Sequence, residues 1–284
     1  MLGRELVKAC RRLAARQPIE CCELDQEEID IADPGRVCDV VGQLRPRLLI
    51  NAAGYTDVDG CESHPELAQA VNADGPANLA RACRANRCRL VHVSSDYVFD
   101  GRKSEPYLPH DPVNPLSVYG RTKADGERLV RDILPDHVIV RSSWLFGYHG
   151  RNFVKAILKT AGGSDQVRVV TDQVGCPTYA GDLAEALVVL GRSNRRGTYH
   201  FCNAGSCSWN EFAAEIVRQA GVGIRVLPTT TAELNRPAVR PAYSILGTEG
   251  FVRHTGIVPR PWPEALARCL EELGQVNGIQ READ

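Results

Sequence analysis

The sequence predicts an α/β protein with a doubly wound parallel sheet and a smaller C-terminal lobe. Three observations carry this. Short apolar runs alternate with amphipathic segments through the first half of the chain, which is the βαβ pattern. The run "RLLINAAG" (47–54) ends in small residues and "RLVHVSS" (89–95) in hydroxyls, as strands do where a parallel sheet opens to a ligand. After about residue 147 the alternation loosens into short strands, helices and Pro/Gly turns.

In chain order, residues 2–15 read as a helix that opens at Gly3 with no strand before it. "PIECCEL" (18–24) reads as a short strand. Residues 33–46 read as a helix, with Asp33 as N-cap and Pro34 at its first position. Residues 47–54 are a buried strand, 65–86 a helix and 89–95 a strand. A Pro-rich loop over 106–115 leads to a helix from about 116 to 133, then a strand and loop over 137–147. Residues 166–179 are strand and loop, and 208–221 a helix with Ser208 and Glu211 spaced as a capping box. The division is a nucleotide-binding part over 1–147, a mainly substrate-binding lobe with returning elements over 148–275, and a frayed polar tail over 276–284.

Composition excludes several classes. The 284 residues are 43% hydrophobic and 24% charged, enough for a sizeable core. A net charge of −1 gives no bulk attraction to nucleic acid or an anionic membrane. No apolar run approaches the roughly 20 residues of a membrane span. Arg4, Glu5, Lys8, Arg11 and Arg12 break any signal-peptide core. Eleven scattered cysteines, an odd number without a Cys-x-x-Cys pair, read as buried free thiols in a reducing cytoplasm. No metal ligand set is spaced in the sequence.

The chemistry-bearing residues begin with "VYGRTK" (118–123). Tyr119 and Lys123 are four apart on a helix and share a face. An ammonium beside a phenol favours phenolate and lowers its pKa from about 10. Such a tyrosine can exchange a proton with a carbonyl or alcohol oxygen. Taken alone, the pair reads first as a solvated surface pair. Ser94 and Ser95 stand at the C-terminal end of a parallel strand, where a hydroxyl can bond the same oxygen or merely cap the turn. Ala52, Ala53 and Gly54 let a flat ligand or a helix come close. Asp25, after the second strand, suits a ribose 2′-hydroxyl or is an exposed turn acid.

Together, "NAAGYTDVDGCE", "SSDYVFDG", "VYGRTK", "VRSSWLFG", "TDQVGCPTYAGDLA" and "RPAYSILGTEGF" resemble the dTDP-4-dehydrorhamnose reductase family. That family is a branch of the extended short-chain dehydrogenase/reductase superfamily, with a Rossmann-like fold. The resemblance implies Tyr119 as general acid, Lys123 as the residue that lowers its pKa and holds the nicotinamide ribose, and Ser95 as the hydroxyl partner. It implies Gly3, Asp25, Asp30, Ile31, Asn51, Ala52, Ala53 and Tyr55 as cofactor-binding. It implies Asp96, Tyr97, Val98 and Trp144 as facing the substrate, Trp144 reading equally as a core aromatic. The implied activity is reduction of dTDP-4-dehydrorhamnose to dTDP-L-rhamnose in cell-envelope polysaccharide biosynthesis. The cofactor is NADPH, with NADH tolerated because Asp25 has no arginine near it in sequence. Some members bind Mg²⁺ at a dimer contact, so Mg²⁺ and a homodimer are expectations too, in a cytoplasmic enzyme.

Two rivals stand beside this reading. One is a nucleotide-sugar epimerase or dehydratase, disfavoured because Asp96-Tyr97 follows Ser95 where dehydratases carry Asp-Glu. The other is a non-catalytic subunit like the regulatory subunit of methionine adenosyltransferase. By the family pattern an apolar strand and Gly-x-x-Gly-x-x-Gly open the chain, and Gly3 matches only the third glycine. The first, central strand is therefore expected to be missing, leaving a gap in the sheet.

Overall fold

The computed structural model describes residues 1–274, so the tail expected over 276–284 lies outside the described residues. The first half runs α1 (Leu2–Ala14), α2 (Pro34–Leu44), β1 (Leu48–Asn51), α3 (Val58–Ser63), α4 (Pro65–Gln69), α5 (Gly75–Ala85), β2 (Arg89–Ser95), α6 (Val118–Ile133) and β3 (His137–Ser142). The second half adds β4 (Leu145–Phe146), α7 (Phe153–Ala161), β5 (Gln166–Val170), β6 (Val174–Gly175), β7 (Thr178–Tyr179) and α8 (Ala180–Arg192). It continues with β8 (Gly197–His200), β9 (Cys207–Ser208), α9 (Trp209–Ala220), β10 (Arg225–Thr229), α10 (Thr231–Leu234), α11 (Glu249–Thr255) and α12 (Trp262–Glu272).

Four parallel strands form the main sheet in the order β1-β2-β3-β8. Asn51 pairs with His92 and Ser95 with Ser142, so the polar C-terminal ends of three strands lie side by side. One face is covered by α1 and α8, with Leu2, Leu6 and Ala9 packed against Leu183, Leu187 and Val140. The other face carries α2, α5 and α6 through Val37, Leu79 and Val130 against Leu90 and Ile139. A second core around Phe146, Phe212, Ile216 and Leu266 builds the C-terminal lobe. The expected caps are present: Asp33 accepts the Gly35 and Arg36 N–H groups at α2, and Ser208 with Glu211 closes a capping box at α9.

Four expectations fail. Residues 18–24 form no strand, and Cys21, Cys22 and Leu24 are exposed. The main sheet ends at β1, so among the described residues no neighbouring strand meets this run. Without ladder hydrogen bonds an extended apolar run gains nothing from β pairing. For the same reason β1 is not a buried strand: Leu48, Leu49 and Ile50 are only half-buried at the sheet edge. The helix over 65–86 is interrupted by a π-helical turn, Ala70–Asp74, between α4 and α5. Pro76 has no N–H for the Asn72 carbonyl, and the turn widens to absorb the loss. All eleven cysteines are free, but Cys21, Cys22 and Cys38 are exposed rather than buried.

One buried ion pair ties the layers together. Arg141 on β3 donates twice to Glu127 on α6, at 2.8 and 2.7 Å. Burial alone would raise the Glu127 pKa, but the Arg141 bonds hold it below its ordinary value. The pair's stabilisation is therefore full above the usual glutamate range and is lost as pH falls through the lowered pKa. Glu127→Ala should cost about 3–5 kcal/mol by leaving Arg141 buried and unpaired, while Glu127→Leu with Arg141→Met should recover most of it. Urea unfolding measures both, and a single variant within about 1 kcal/mol of wild type would remove the pair from this role.

Candidate active site

Helix α6 carries Tyr119 and Lys123, and two glycines let it pack close on the Tyr97 and Asn72 backbones. A Cβ at Gly120 would collide with the Tyr97 carbonyl, and one at Gly126 with the Asn72 carbonyl that Pro76 leaves free. Ser117 caps the helix by accepting the Gly120 N–H. Tyr119 and Lys123 then point inward, 9% and 5% exposed.

Around them lie the ends of β2 and its following turn. The Tyr119 ring packs edge-on against Tyr97, centroids 5.4 Å apart. The Ser95 hydroxyl faces the Tyr119 phenol, donates to Asp96 Oδ1 at 2.8 Å and accepts the Tyr97 N–H at 3.2 Å. Lys123 Nζ donates to the Val93 carbonyl at 2.6 Å. Asn51 Nδ2 meets His92 Nδ1 at 3.1 Å, and Asn51 Oδ1 accepts the Ala53 N–H. Asn72 clamps the Tyr55 backbone, accepting its N–H at 2.9 Å and donating to its carbonyl at 3.0 Å.

Burial sets the protonation states. It pushes the Tyr119 phenol well above its ordinary pKa, against the Ser95 hydrogen bond. Lys123 turns its ammonium to the Val93 carbonyl. Burial pulls Lys123 itself down to about 8, opposed by Glu127. It lifts Asp96 to about 6, against the facing Ser244 hydroxyl and the Ser95 hydrogen bond.

Several expected site residues are placed differently. Val98 is wholly buried with Phe99, Tyr107 and Leu246, so its side chain cannot face a substrate. Ile31 is core beneath α5, and a Cβ at Gly75 would strike it. The Asp96 carboxylate is 1% exposed and turned to Ser95. Trp144, at φ 47°, stacks on Trp209 at 3.7 Å with Gly175 packed on its indole. Asp25 and Asp30 are exposed, and their carboxylates accept backbone N–H groups of their own turns. Arg36 of α2 donates to the Glu28 carbonyl at 2.8 Å, so an arginine does stand on the Asp25 turn. Gly3 has open space around it at the start of α1, whose N-terminus has no side-chain cap.

Two partners were not singled out from the sequence. Asp59 on α3 takes both terminal nitrogens of Arg240, at 3.1 and 2.9 Å, and the Ala238 N–H. Burial works against it, but these bonds hold Asp59 down to about 2. Arg240 in turn faces Tyr97. Trp209 is the other, and its place after the predicted N-cap Ser208 was the available signal. A cavity of about 270 Å³ at the opposite sheet edge is lined by Arg84, Arg87, Asp136 and Arg196. It lies at the C-terminal ends of α5 and α6, where arginines offset the helix dipoles. Among the described residues, no group of three or more His, Cys, Asp or Glu could hold a metal, and the expected Mg²⁺ finds no ligand set. No helix among them is long and apolar enough to cross a membrane.

The sequence matches the RmlD substrate binding domain over residues 1–275. The chain belongs to this family. It is 42% identical over 281 residues to a dTDP-4-dehydrorhamnose reductase of Streptomyces griseus, covering 96% of this chain and 91% of that one. Its fold is similar to that of a dTDP-4-dehydrorhamnose reductase of Clostridium acetobutylicum, with a TM-score of 0.91 and 39% identity over 96% of each chain. It is also similar to the reductase of Bacillus anthracis solved in complex with NADP, with a TM-score of 0.90 and 37% identity over 95% of each chain.

The seat of α6 gives a test. Gly120→Ala should cost about 1–3 kcal/mol through overpacking on the Tyr97 carbonyl, whereas Gly3→Ala, with nothing within 4 Å, should cost far less. Thermal midpoints compare the two, and a Gly120 variant as stable as wild type would show that α6 seats without that approach.

Proposed function

We propose that this protein reduces the C4 carbonyl of dTDP-4-dehydrorhamnose, using NADPH, to give dTDP-L-rhamnose. The observation that carries this is the buried Tyr119 phenol beside Ser95 at the C-terminal edge of β2, in a chain whose relatives act under that name. Bound NADPH supplies the hydride to C4. Tyr119, kept neutral by burial, delivers its proton to O4, so the ketone becomes an alcohol.

Lys123, Asn51, Ala52, Ala53 and Tyr55 fit the nicotinamide end of the cofactor. Lys123 carries a buried amine for the ribose hydroxyls, and Ala52 and Ala53 leave room for a flat ring. The uncapped start of α1 at Gly3 suits the diphosphate, since free helix N–H groups favour an anion. Asp25 and Asp30 take the adenosine side, and Arg36 offers a cation to a 2′-phosphate. That favours NADPH over NADH. The 148–275 lobe holds the sugar nucleotide, and Tyr97 and the Trp144–Trp209 stack offer it aromatic surfaces.

Purified protein should oxidise NADPH when given dTDP-4-dehydrorhamnose, and should not interconvert UDP-glucose and UDP-galactose. Tyr119→Phe should lower turnover by about 10²–10⁴ and leave NADPH affinity unchanged. Wild-type turnover in that variant would remove Tyr119 as the acid, and epimerisation without cofactor consumption would replace the reductase reading.

A further inference from the structure

The Ser95 hydroxyl has one proton and two lone pairs. One lone pair takes the Tyr97 N–H, and the proton goes to Asp96 Oδ1 at 2.8 Å. A carboxylate only accepts, so an ionised Asp96 keeps the Ser95 proton for itself. Ser95 can then offer the Tyr119 phenol only its second lone pair. A ketone oxygen also only accepts, so it receives nothing from Ser95 in this state.

A neutral Asp96 reverses the arrangement. Its O–H donates to Ser95 Oγ, and the Ser95 proton becomes free to turn outward. The surroundings favour the neutral form. Asp96 is 1% exposed, and its Oδ2 makes no hydrogen bond although the Ser244 hydroxyl faces it. An unsolvated carboxylate oxygen without a partner is costly.

We propose that Asp96 is a positioning residue that sets the direction of the Ser95 hydrogen bond, its neutral acid form turning the Ser95 proton toward the substrate carbonyl oxygen. This rests on the reductase reading above. Reduction is then fastest with Asp96 protonated and slows as pH rises through its titration, which burial places at about 6. The titratable groups facing Asp96 are Tyr97 on its own turn, Tyr119 on α6, Cys176 between β6 and β7, and Cys202 after β8. Burial pushes Tyr97 and Tyr119 upward, and the thiol pair shifts Cys176 down and Cys202 up. Arg240, the nearby cation, faces Tyr97 and is paired with Asp59.

Asp96→Asn supplies an amide N–H that can donate to Ser95 at every pH. Wild-type turnover should fall by about tenfold per pH unit on the alkaline side of the Asp96 titration. Asp96→Asn should lose that limb, and Asp96→Ala, which has no carboxylate to take the Ser95 proton, should lose it too. A second readout needs no turnover. The infrared band of a buried protonated carboxyl should titrate in the wild type, vanish in Asp96→Asn, and shift in Ser95→Ala. An Asp96→Asn enzyme that keeps the wild-type limb, or a carboxyl band indifferent to Ser95→Ala, overturns the proposal. Should wild-type protein turn over no 4-keto sugar, the reductase reading fails, and the infrared series alone decides the coupling of Ser95 to Asp96.

Discussion

The reaction end of this molecule depends on one buried ion pair. Taking Glu127 and Arg141 out of water is costly unless nearly every proton and lone pair is met. Here they are met from several directions. Arg131 adds a third nitrogen to Glu127 at 3.1 Å, and Arg141 reaches the Pro109 carbonyl at 3.2 Å. Arg141 also lies over the Phe99 ring at 4.9 Å. His200 on β8 donates its Nδ1–H to the Tyr107 carbonyl of the same loop at 3.0 Å, and burial with the adjacent Arg141 holds its pKa down to about 3. One point therefore fastens α6, β3, β8 and the loop over 106–110. The helical repeat carries this fastening upward, because Tyr119, Lys123 and Glu127 form one stripe at four-residue spacing. Fixing the lowest of the three aims the other two.

The same burial that makes the pair expensive sets the chemistry. With water excluded, the phenol of Tyr119 stays protonated, Lys123 loses part of its basicity, and Asp96 gains a proton more readily. Each shift moves toward the neutral form, as desolvation requires. A site that holds its acid neutral delivers protons well. This suits reduction of a carbonyl, where a proton must be available when negative charge develops on oxygen.

Local signals were legible in the sequence and distant ones were not. The Tyr119–Lys123 face, the caps at Asp33 and Ser208, and the strand ends at Asn51 and Ser95 follow from spacing within a few residues. The π-helical turn was also signalled, by Gly75-Pro76 inside a helical pattern, but periodicity alone passed over it. The tie of Asp59 to Arg240 spans 181 positions and leaves no trace in local pattern. Arg36 on the Asp25 turn was hidden for a related reason: a loop folds back through backbone contacts, and spacing does not show where it returns. Residues 18–24 failed differently. Their composition is that of a strand, but a strand exists only with a neighbour.

The two ends of the site are built unlike each other. At the reaction end, the groups are packed before any ligand arrives, with Ser95, Asp96, Tyr119 and Lys123 all under 10% exposed. At the end proposed for the adenosine, Asp25 and Asp30 lie in exposed turns beside an unpaired run, and Gly3 stands at an uncapped helix start. The chemical step needs fixed geometry, and there the chain supplies it in advance. The exposed turn with Asp25, Asp30 and Arg36, proposed above for the cofactor, presents charge and hydrogen-bond groups without such packing.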